Sequence, residues 1–118
     1  MFRDVLSEIV GKSDGAIGAV LMGSDGISVE QVVADGAGLD IETVAMEMSV
    51  VLREVGRIMK QIEAGRTEEL VVRSVGLTAV LRVLTDEYFV ALALRPEGNL
   101  GKARFLLRGA APRLLAGL

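Results

Sequence analysis

From Ala16 to Met22 the chain places no polar side chain on either face of an extended segment. Alternate residues of a strand point to opposite sides, so Ile17, Ala19 and Leu21 line one face and Gly18, Val20 and Met22 the other. A strand apolar on both faces has to sit in a sheet that is covered on both sides. Gly23-Ser24-Asp25-Gly26 follows, with an Asp-Gly pair that favours a hairpin turn, and Ile27 to Ala34 reads as the returning strand.

The covering helices are visible as periodicity. Phe2, Val5, Leu6, Ile9 and Val10 recur at helical spacing over residues 2–10, and Gly11 stands where a helix end expects glycine. Asp40 is an N-cap for a long helix, with Glu42 in its first turn, predicted to run to Ala64 and stop at Gly65. Ile41, Val44, Ala45, Met48, Val51, Leu52, Val55, Ile58, Met59 and Ile62 form the strongest periodic stripe in the chain, read as its core face. Three strands follow, Glu69 to Ser74, Leu77 to Leu84 and Tyr88 to Leu94, with short turns at Val75-Gly76 and Asp86-Glu87, so they form an antiparallel meander. A last helix begins near Leu100, and Pro112 is predicted to kink or end it. The order is α-β-β-α-β-β-β-α in one domain, residues 1–118. The fold class is α/β (α+β): a five-stranded antiparallel sheet with the long helix on one face and the terminal helices on the other.

Composition narrows the chemistry. There is no cysteine and no histidine, which excludes disulfides, Cys/His zinc sites, thiol nucleophiles and histidine-based triads. A reducing, cytoplasmic setting is expected. No apolar run approaches the roughly 18 residues of a membrane span, and Asp4 and Glu8 follow the start too closely for a signal peptide. Net charge is −3 and only 3% of residues are aromatic, so nucleic acid is not an expected partner. Yet 51% of residues are hydrophobic and mean hydropathy is +0.47, more aliphatic surface than one small core needs.

Motifs that suggest catalysis or cofactors do not hold up. Gly11-Lys12-Ser13 resembles the tail of a phosphate-binding loop, but Leu6 occupies the position of its first glycine and a helix precedes it. Gly36-Ala37-Gly38 lacks a third glycine, since Ile41 stands there. Glu68-Glu69 and Asp86-Glu87 come without a nucleophile or base. No enzyme activity, metal or cofactor is expected. Lys102, Arg104, Arg108 and Arg113 all follow the last acidic residue, Glu97, a basic end read as complementing the helix dipole.

The long helix carries the interaction signal. With about 100° per residue from Ile41, the apolar stripe centres near roughly 320° and Met46 and Val50 fall on the opposite, wet side. Two aliphatic residues one turn apart, rimmed by Arg53, Glu54 and Arg57, suggest a protein-contact patch. Ala45, Ser49 and Gly56 share one flank, and small residues admit a close neighbour. The flank is therefore assigned to a two-fold seam against the same helix of a second copy.

The order of elements resembles a Roadblock/dynein light chain domain. So do Gly18-Ala19-Val20-Leu21 leading into Ser24-Asp25-Gly26-Ile27, the long helix from Asp40, and the meander from Leu70 to Leu94 with Leu100-Gly101-Lys102-Ala103-Arg104 after it. The resemblance covers nearly the whole chain and is similar to prokaryotic single-domain members of the MglB type. It implies a profilin/longin-like Roadblock fold. It also implies dimers joined sheet edge to sheet edge, here through Leu70, Val71, Val72 and Arg73, with the middle helices side by side. The implied partner is a small Ras-like GTPase, regulated or activated through the paired helices around Met46, Val50, Arg53 and Arg57. The alternative is a dimeric scaffold or adaptor with no effect on hydrolysis.

Overall fold

A computed structural model describes residues 1–118. The elements are α1 (Phe2–Lys12), β1 (Ala16–Gly23), β2 (Ser28–Val33), α2 (Ile41–Gln61), β3 (Glu69–Arg73), β4 (Thr78–Val83), β5 (Tyr88–Leu94) and α3 (Leu100–Ala116). The strands form one antiparallel sheet in the order β2-β1-β5-β4-β3. Every residue of β1 is buried, because it lies between β2 and β5 with a helical layer above and below.

The two faces of the sheet make two cores. Leu6 and Ile9 of α1 and Leu107 and Leu114 of α3 pack on Leu21, Val80, Val90 and Leu92. On the other face, Ile41 and Ala45 of α2 pack on Ile17, Val20, Met22, Leu81 and Phe89. The terminal helices touch each other as well as the sheet, and α2 rests mainly on β1, β2 and β5.

Local chemistry sets the boundaries. Asp40 caps α2 by accepting from the Thr43 backbone N–H and hydroxyl, and Asn99 caps α3 by accepting from the Lys102 N–H. These hydrogen bonds, from the Thr43 hydroxyl first, hold the Asp40 carboxyl below its ordinary range. The turns after α1 and after β5 cross where two glycines meet. A Cβ on Gly15, whose φ is +80°, would lie 2.8 Å from the Gly98 Cα.

Three boundary expectations need correction. The α1 helix continues through Gly11 to Lys12, since Gly11 is exposed and nothing ends the helix there. The α2 helix ends at Gln61 rather than Ala64, with Glu63 in the left-handed region at φ 59°. Pro112 does not end α3: Ala110 and Leu114, both buried, hold the helix on the core at either side of it.

Candidate functional site

The α2 helix presents different chemistry on each side. Met46 and Val50 are exposed, at 44% and 54%, as the helical wheel predicts. Beside them Arg53 donates to the backbone carbonyl of Ser24 in the β1–β2 turn, which ties that flank of the helix to the hairpin. Arg57 donates through its Nε to both carboxylate oxygens of Glu54, at 3.2 and 3.1 Å. Those hydrogen bonds raise the Arg57 guanidinium further above its ordinary range and lower the Glu54 carboxyl below its own. Both guanidiniums of the patch are thus engaged within the chain.

The small-residue flank corrects the sequence reading. Ala45 and Ser49 are buried inside the protomer, at 0% and 2% exposure, against the sheet. They cannot form a seam with a second copy. Ser49 completes its bonding locally, donating to the Met46 carbonyl at 2.6 Å. Gly56 lies on the same flank, half-buried, and lines a groove. The helix therefore seats on the sheet along the Ile41, Ala45 and Ser49 line, to one side of the centre of its apolar stripe. Small side chains let its backbone settle close to β1, and large ones at Val51, Ile58 and Ile62 are left outside, the last at 62% exposure. Val44, Met48, Val55 and Met59 are half-buried along the same stripe.

The stripe missed by the sequence reading is thus an outward aliphatic surface on α2. Its signal was present as the spacing of Ala45 and Ser49, which marks the line of closest approach. The strand read as a dimerising edge does lie at an edge. β3 pairs only with β4, so one side of Leu70, Val71, Val72 and Arg73 has no strand beside it. Leu70 is half-buried on the α2 face of the sheet, and Val71 packs under the terminal helices.

Glu68 and Glu69 turn to different partners. Glu69 pairs with Arg104 of α3 at 2.8 Å, and Glu68 reaches Arg82 at 3.9 Å. No helix is long and apolar enough to cross a membrane.

Known structures fit this arrangement over almost its full length. A crystal structure of MglC from Myxococcus xanthus is 35% identical, covers 99% of this chain and 98% of its own, and superposes with a TM-score of 0.73. A Roadblock/LC7 domain from Streptomyces avermitilis has the same fold at 14% identity, with 93% and 91% of the two chains covered and a TM-score of 0.81. The chain belongs to the Roadblock/dynein light chain domain family. The gliding protein MglB from Thermus thermophilus shares the Roadblock fold at 19% identity, covering 97% of this chain and 85% of its own, with a TM-score of 0.85. No family model and no curated protein matches the sequence. As a Roadblock domain, the chain has the expected five-stranded antiparallel sheet between one helix and two.

Proposed function

We propose that this Roadblock protein is a homodimeric regulator of a small Ras-like GTPase, acting in the cytoplasm by protein–protein contact rather than by catalysis of its own. The observation that carries the reading is the outer surface of α2. It holds Met46 and Val50 beside Arg53, Glu54 and Arg57 on one side, and Val51, Ile58 and Ile62 on the other. Exposed aliphatic residues in contiguous rows, edged by charge, are the composition of a partner surface. Full-length similarity to MglC and the MglB fold supports the assignment to GTPase control.

In this reading the aliphatic stripe of Val51, Val55, Ile58 and Ile62 meets its own copy, and the β3 edge from Leu70 to Arg73 pairs with the β3 edge of that copy. The two helices then stand side by side and offer both Met46–Val50 patches to one GTPase. Arg57 is held by Glu54 and Arg53 by the Ser24 carbonyl, which argues against an arginine finger. Activation would instead reorder the GTPase's own switch residues.

The test is GTP hydrolysis by the small GTPase recovered with this protein from native lysate, measured with and without it. Stimulation is expected, and Met46→Asp with Val50→Asp is expected to abolish both binding and stimulation. Binding without stimulation would assign the protein as an adaptor. Recovery of no GTPase in any nucleotide state would reject the reading.

A further inference from the structure

A groove of about 520 Å³ opens under the C-terminal half of α2, between that helix, the β1–β2 turn, the β4–β5 turn and the loop entering β3. Its size is in the range of sites that seat a small ligand or a few side chains. Leu52, Val83 and Phe89 give it an apolar wall. Arg53, Arg57, Lys60 and Arg66 line it against a single carboxylate, Asp86. In a chain of net charge −3 this is a concentration of positive charge. Glu54 neutralises Arg57, and Arg53 donates only to an uncharged carbonyl. Lys60 and Arg66 make no ion pair at all. Thr67 lines the same wall, and its hydroxyl finds no hydrogen-bond partner in the chain.

Gly56 is the second observation. A glycine inside a helix costs about 1 kcal/mol relative to alanine. Such a residue usually marks a close backbone approach, but a Cβ on Gly56 would meet nothing within 4 Å. Packing inside the protomer does not require the glycine. What its missing side chain does is keep the groove open in the middle of its helical wall.

We propose that this groove binds an acidic segment of a partner protein. One large apolar side chain of the segment enters at Gly56 and packs on Leu52, Val83 and Phe89, and its flanking carboxylates pair with Lys60, Arg66 and Arg53. The apolar wall favours a peptide over a phosphate compound, which would leave the half-buried Leu52 and Val83 uncovered. Charge pairing makes the contact salt-sensitive and carboxylate-selective. Arg53 and Arg57 border both this groove and the Met46–Val50 patch, but Gly56, Lys60 and Arg66 lie outside that patch, so variants at those three positions test the groove separately from the GTPase reading.

The test is selection of random dodecapeptides on phage against the whole protein, followed by binding of the enriched peptide, made synthetically and fluorescently labelled. Enriched sequences are expected to set Asp or Glu around one large apolar residue. The peptide should lose at least about tenfold in affinity against Lys60→Glu with Arg66→Glu, and a similar amount against Gly56→Leu. Met46→Asp should leave its affinity unchanged. Gly56→Ala, which restores helix propensity with a small side chain, separates groove filling from misfolding: it should melt no lower than wild type and keep most of the binding. No enrichment, enrichment of neutral or basic peptides, equal affinity for the variants, or displacement by ATP but not by unlabelled peptide would each overturn the proposal.

Discussion

Glu63 closes α2 in a position made for glycine. Its N–H donates to the Lys60 carbonyl and the Ala64 N–H donates to the Met59 carbonyl at 2.8 Å, the two bonds of a Schellman ending. The residue between them must adopt positive φ, and Glu63 does so at 59°. For a side chain with a Cβ this conformation costs about 1 kcal/mol or more. Glu63→Gly should therefore raise stability by about 1 kcal/mol, read as a higher urea midpoint with unchanged slope. A lower midpoint would mean that the side chain contributes something its exposed position does not suggest. The helix stops here although Gly65 is a better glycine signal, because the chain must turn back toward the β4 end to begin β3 at Glu69. That requirement is tertiary and cannot be seen in the local sequence.

At the scale of elements, Glu8 fastens α1 to α3. It accepts from Lys12 of its own helix at 2.8 Å and from Arg113 of α3 at 2.6 Å. These hydrogen bonds, Lys12 first and then Arg113, together with the two positive charges, lower its pKa from 4.5 to about 2. The unfolded chain then binds this proton more readily than the folded one. The contribution of Glu8 is fully present above about pH 4.5 and is lost as pH falls toward about 2. Glu8→Gln should be less stable than wild type at neutral pH, and the gap should close as the pH is lowered through that window. Denaturant titrations at several pH values would measure it; no gap at any pH would show that the pair is replaced by solvent at no cost, and a gap independent of pH would assign the loss to something other than the charge. The basic end of the chain is in part explained here. Arg113, Arg104 and Lys102 reach back to Glu8, Glu69 and Asp14, so three of its four cations bind the last helix to the rest of the fold.

For the whole molecule the telling feature is the distribution of aliphatic surface. The α1–α3 face of the sheet is closed by two helices, whereas α2 rests mainly on β1, β2 and β5. Leu70 and Leu77 on that face stay half-buried, and Val51, Ile58 and Ile62 of the long helix segment are exposed. If this surface is the dimer seam, Val51→Asp with Ile58→Asp should give a folded monomer, since neither residue is in the protomer core. Light scattering for mass and circular dichroism for fold would check it. A wild type that is already monomeric at micromolar concentration would remove the seam, and a double variant that remains dimeric would move it elsewhere.

Much of the fold was legible without coordinates. Apolar residues on both faces of Ala16–Met22 required a doubly covered sheet, the Asp-Gly turn set the hairpin, and Asp40 marked the start of α2. These follow from local physics: strand alternation, turn geometry and capping act over a few neighbouring residues. Exposure of Met46 and Val50 was legible for the same reason. The rotation of α2 was not. Helical periodicity ranks faces by hydrophobicity and therefore favoured Val51, Ile58 and Ile62, whereas the sheet accepts the face that packs closest, which is that of Ala45 and Ser49. The groove was equally hidden, because Lys60 on a helix, Arg66 in a loop and Phe89 on a strand share no sequence spacing. The sequence by itself determined which segments form strands and helices and that both faces of the sheet are covered. Only the tertiary structure decided which apolar side chains of the long helix remain outside, because close packing selects on shape and hydrophobic patterning does not.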